Sequence, residues 1–191
     1  MKKNITIITV LTVILSFAGC ASLNGMKGSY VTITPLANTG FDYDHYDKLG
    51  FAYTPETENG KLLKKELTDA FMSEQFKITG EKEELDAIQK SGVNFKSEVT
   101  IDDAQKLGKI MKAKAMIIVN KADFSGNGKA EYISLDIVDS YGGVLVRASY
   151  KGGDNPDDIR NAAWSIIYKI KSENMKIEKK HDSDHKRIII P

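Results

Sequence analysis

Tyr30, Thr32 and Thr34 alternate with Val31, Ile33 and Pro35 in "SYVTITPLAN" (29–38), the period of two that marks a strand. The following stretch, "TGFDYDHYDKLGFAYTPETENG", keeps no period, is rich in aromatics and aspartates, and reads as loop. "TPE" (54–56) offers Thr54 as a helix N-cap with Pro55 at the first helical position. Leu63, Leu67, Ala70 and Phe71 then share one helical face, which predicts a helix over about 56–75. "QFKITGE" (75–81) reads as a short strand. "EKEELDAIQKS" (81–91) reads as a short helix with Leu85 and Ile88 turned inward, ended by Gly92. Thr100 and Asp103 form a capping-box signal opening a helix over 100–113, with Ile101, Ala104, Leu107, Gly108 and Met111 as its apolar face.

Four consecutive apolar residues, 116 to 119, fit a central strand buried on both faces. "GNG" (126–128) is a hairpin turn, the next strand alternates from Tyr132 to Asp139, and "YGG" (141–143) returns the chain antiparallel over Val144 to Tyr150. Asn155 and Pro156, with acids behind them, open a closing helix whose apolar face is Ile159, Ala162, Ala163, Ile166, Ile167 and Ile170. Beyond 174 the chain is charged and reads as a solvated tail, and whether Ile188 to Ile190 form an edge strand is left open. Together these elements predict an α/β (α+β) fold over 29–175, a mixed sheet with amphipathic helices packed on it in two or three layers, followed by a charged tail (176–191).

The first 28 residues follow a different rule. Two lysines precede an apolar run, "ITIITVLTVIL" (5–15), and small residues then lead to Cys20, the chain's single cysteine. A positive start, an apolar middle and a small-residue end are the parts of a secretory signal, and the run is short for a membrane span. "FAGC" (17–20) resembles a bacterial lipobox, which implies cleavage before Cys20 and a diacylglycerol on its thiol, with Phe17 where that motif usually has leucine. This makes 1–19 a signal peptide and 20–28 a lipidated linker, and lipid anchoring would account for a lone cysteine in a compartment that permits disulfides. Removing 19 of the 191 residues leaves 172, with 25 basic and 26 acidic side chains. That size suits one domain, and the near balance argues against a nucleic-acid partner.

Candidate chemistry is sparse. Asp42, Asp44, His45 and Asp47 in "DYDHYD" are ordinary metal-ligand types, but their spacing matches no known cage and lacks the glycine and closing glutamate of a calcium loop. The expectation is a tyrosine-rich surface loop, with no metal and no cofactor. "SGNGK" (125–129) is not a phosphate loop, because Ala130 and a strand follow it. His181 and His185 lie in the charged tail, the paired acids Asp136 and Asp139 sit where a strand meets a turn, and no serine occupies a nucleophile elbow, so no catalytic residue is assigned. Trp164 and Tyr168 lie one helical turn apart beside the isoleucine stripe. They either widen the buried face or form an aromatic anchor for a partner.

The stretch 104–150 carries "LGK", "AKAMIIV" and "LDIVDSYGGVLVRA" in order. It resembles a pattern of the curli-secretion CsgG-like family, whose relatives include lipoprotein activators of penicillin-binding proteins and the amino-terminal domain of TolB. Asn120 stands where that family has glycine. The resemblance implies a CsgG/TolB-like sandwich acting as a non-enzymatic module that assembles with itself or docks on an envelope protein. The tight turns at 125–128 and 141–143 leave no room for barrel hairpins, and nine residues after Cys20 are too few to reach through a cell wall. The resulting expectation is a lipid-anchored envelope protein, held by its N-terminal lipid. Ala21 and Ser22 fit sorting to the outer membrane. A rival reading makes it a small-ligand or metal-binding lipoprotein using the 42–47 loop.

Overall fold

The computed structural model describes residues 28–35, 45–93 and 99–187. The expected mixed sheet with helices packed on it is present. Its strands are β1 (Tyr30–Pro35), β2 (Lys48–Tyr53), β3 (Lys77–Ile78), β4 (Ala115–Phe124), β5 (Ala130–Asp139) and β6 (Val144–Lys151). They lie in the order β1-β6-β5-β4-β2-β3. β4, β5, β6 and β1 are antiparallel neighbours, whereas β2 runs parallel to both β4 and β3.

Alternation along the strands sorts the core into two layers. Ile117, Val119, Ile133, Leu135, Ile137 and Ala148 face helices α1 (Glu58–Ser73) and α4 (Ile159–Arg187). Met116, Ile118 and Val138 face the other way, onto Ala104, Leu107 and Met111 of α3 (Ile101–Met111), with α2 (Glu81–Ser91) beside it. The fold is therefore three-layered. The second pair of helices packs mainly on β2, β4 and part of β5, with Val144 at the start of β6 reaching the same cluster.

Several expectations need correction. β2 lies in the stretch that reads as loop. Gly50 interrupts its apolar run because a Cβ there would come within 2.9 Å of Thr79 Oγ1 and 3.2 Å of Met111 Cε. The N-cap of α1 is Thr57, whose Oγ1 accepts the Gly60 N–H at 3.1 Å, and not Thr54. The inward face of α2 is Glu84, Ala87 and Ser91, with Ile88 half-buried against the same cluster as expected, while Leu85 is 54% exposed. Ile101 is also exposed, leaving α3 to pack through Ala104, Leu107, Gly108 and Met111. The α3 capping box forms in both directions. Asp158, not Asn155, accepts the Asn161 N–H at 2.8 Å to start α4, and the helix continues through the charged stretch to Arg187.

Candidate functional site

β1 and α4 frame the site. On β1, Val31 and Ile33 point to the core side and are half-buried, because the strand lies at the sheet's edge. Thr32 and Thr34 are exposed on the opposite side. Between the start of β1 and α4 runs a groove of about 400 Å³ lined by Ser29, Val31, Tyr150, Ser165 and Tyr168. Its floor is a polar clasp. The buried Tyr150 places its hydroxyl 2.9 Å from Asp157 Oδ2 and 3.0 Å from Ser29 Oγ, and accepts the Asp157 N–H at 3.1 Å. Burial pushes the Tyr150 hydroxyl above the usual phenol range, and the Asp157 carboxylate adds to the shift.

Trp164 and Tyr168 stand together, ring centroids 5.7 Å apart, but at different depths. Trp164 packs against the main core with Arg160 over its ring at 6.0 Å, and its indole Nε1 is buried without a partner among the described residues. Tyr168 is 54% exposed and forms one wall of the groove. Only Tyr168 therefore offers its ring to a partner directly; Trp164 backs it.

The other candidates disperse. Cys20, Asp42 and Asp44 lie outside the described residues. His45 is exposed and stacks edge-on against Tyr46 at 4.7 Å. Tyr46 is buried rather than a surface side chain, and its hydroxyl donates to Asp139 Oδ2 at 2.7 Å. Asp47 pairs with Lys77 at 3.3 Å. Asp136 and Asp139 point to opposite faces of the sheet; Asp136 holds Arg147 through two bonds of 2.8 and 2.9 Å. His181 and His185 fall within the backbone of α4. At 125–128 a tight turn closes the β4–β5 hairpin, with Gly128 N–H on Ser125 O at 2.9 Å and Gly128 at φ +74°. Among the described residues no three His, Cys, Asp or Glu side chains gather as metal ligands would, and no helix is long and apolar enough to cross a membrane.

A second, wider groove of about 950 Å³ lies between β2, α1 and α2. Its centre is Glu84, 5% exposed, which accepts from Thr79 Oγ1 at 3.0 Å, from Phe51 N–H at 3.4 Å and from Lys64. Lys64 also lies 5.4 Å over the Phe51 ring. Met72 and Leu85 stand exposed on its flanks. Glu84 belongs to no motif in the sequence. Its spacing with Ala87 and Ser91, two small residues at i+3 and i+7, was the available signal that this face lies against the sheet.

No protein-family model matches the chain, and no curated protein matches it. The resemblance of 104–150 to the CsgG-like family thus rests on the residues quoted for it. Solved structures similar in fold include the LpoB C-terminal domain from Salmonella enterica, at a TM-score of 0.45 and 13% identity over 58% of this chain and 84% of that one. Another is the PelC dodecamer from Paraburkholderia phytofirmans, at a TM-score of 0.43 and 15% identity over 76% of this chain and 96% of that one.

Proposed function

We propose that the protein is a lipid-anchored envelope protein, tethered through Cys20, whose α/β domain is a non-enzymatic docking module. The observation that carries this reading is the exposed Tyr168 ring in the groove between β1 and α4. Ser29 lines that groove, so the docking surface lies nine residues along the chain from the lipidated cysteine and stays close to the membrane. A large, stiff aromatic side chain lining a concave surface is a common source of a binding hot spot. The acids that could have suggested catalysis are engaged structurally: Asp136 with Arg147, Asp139 with Tyr46, Glu84 with Lys64.

The two aromatics give the test. Tyr168→Ala should leave thermal unfolding unchanged yet abolish capture of partners from detergent-solubilised envelopes. Trp164→Ala should instead cost about 2–3 kcal/mol of stability, below the range for a fully buried tryptophan. A Tyr168→Ala protein that captures the same partners as wild type would show that this surface is not the docking site.

A further inference from the structure

The sheet has two edges, and they are treated oppositely. At one end β3 is only two residues long, and Lys77 on it pairs with Asp47. Where β3 stops, the next N–H of β2, that of Phe51, is met by the Glu84 carboxylate. An incoming strand there would have to displace a buried, ion-paired side chain. At the other end β1 is six residues long, carries no charge, and includes four β-branched residues in a row from Val31 to Thr34. Its register with β6 runs unbroken from Tyr30↔Lys151 to Pro35↔Val146, so no bulge twists it away. Among the described residues no strand lies on its outer side. Long, flat, uncharged edges are the ones that natural sheets cover or blunt, and β1 is blunted only by Pro35 at its end.

We infer that β1 pairs with β1 of a second copy of this chain, antiparallel across a two-fold axis, making one sheet continuous through both copies. The inference rests on reading the β1–α4 surface as a docking site, and it names the occupant. The strand is complementary to itself. Antiparallel pairing sets Tyr30, Thr32 and Thr34 against the same residues on one face, and Val31 and Ile33 against theirs on the other. With no charge on the strand, nothing repels. Val31 and Ile33, half-buried in one copy, gain apolar neighbours, and the groove holding Tyr168 lies directly beside the joint.

The anchor is compatible with this symmetry. Antiparallel pairing centred on Thr32 places the two Tyr30 residues at opposite ends of the ladder, about 14 Å apart along the strands. The nine residues from 21 to 29 extend up to about 30 Å. Both lipidated cysteines can therefore enter one membrane, and a pair held by two anchors is the closed, isologous arrangement most common among oligomers.

The test is the mass of the full-length lipidated protein in detergent, measured by light scattering with the detergent contribution subtracted. Wild type should have the mass of two copies. Thr32→Lys with Thr34→Lys adds charge on exposed positions and should give the mass of one copy while keeping a single cooperative melt. Thr32→Glu with Thr34→Glu should do the same, and mixing the two variants should restore the two-copy mass. A second measurement does not depend on those variants folding: a spin label at Thr34→Cys should show an inter-label distance of about 20 Å or less. A monomeric wild type, a Lys variant that stays dimeric, charge variants that fail to recombine, or the absence of a short inter-label distance would each overturn the inference. Tyr168-dependent partner capture by a monomeric wild type would leave the docking module standing and remove only the second copy.

Discussion

Tyr150 joins three segments through one oxygen: its own strand β6, Ser29 ahead of β1, and Asp157 ahead of α4. Its raised pKa has a consequence for stability. The native state keeps the phenol proton at a pH where the unfolded chain, with a pKa of about 10, has lost it. This contribution is fully present below about pH 10 and is lost as the pH rises through the native value. The urea midpoint of wild type should therefore fall above about pH 10 more steeply than that of Tyr150→Phe; parallel curves would show that Tyr150 is not the group responsible. Alternation along the strand was enough to place Tyr150 on its element. The Asp157 partner was not legible, because the turn between them brings the two together only once both β6 and α4 are fixed. Trp164 and Tyr168 show the same limit. Their spacing announced a pair, but how deep each sits depends on how α4 lies against α1, where Arg160 approaches Glu66 at 3.9 Å.

At the level of elements, those with a full period and a cap signal were readable. α3 is the clearest, with its capping box at Thr100 and Asp103. Its face also includes Gly108, and the contacts explain why. A Cβ at 108 would collide with Ser140 Oγ and lie 2.9 Å from Ser140 Cβ, and Ser140 is fully buried with its hydroxyl donating to Ala113 O at 2.7 Å. Gly108→Ala should thus destabilise the protein by about 2–3 kcal/mol, against the roughly 1 kcal/mol gain that helix propensity alone would give. Chemical denaturation of the single variant decides the sign. β2 escaped notice for a related reason. "KLGFAY" carries neither strict alternation nor a continuous apolar run, since Gly50 answers to three neighbours from distant parts of the chain. Residues 174–187 are charged enough to read as tail, yet the helix continues through them, with Lys169 and Glu173 paired at 3.0 Å at i and i+4 just before that stretch.

For the molecule as a whole, the class of fold followed from the order of elements, while the division of labour between the two sheet faces did not. The proposed N-terminal address belongs to this scale too, because it would decide where the domain works. Cys20→Ala should leave the uncleaved precursor, larger by the 19-residue signal, and abolish incorporation of labelled lipid in cells; a mature Cys20 with a free thiol would refute the anchor. The contrast between the two edges carries a further meaning once growth is considered. A sheet open at both ends can add copies without limit, as a fibre does. Among the described residues one end of the sheet is a two-residue β3 with Glu84 capping β2 beyond it, and no strand flanks β1 at the other, so the proposed strand pairing would have one valence per chain and terminate itself at the first encounter. Under that proposal, a carboxylate on a short helix would separate a chain that forms a pair from one that polymerises.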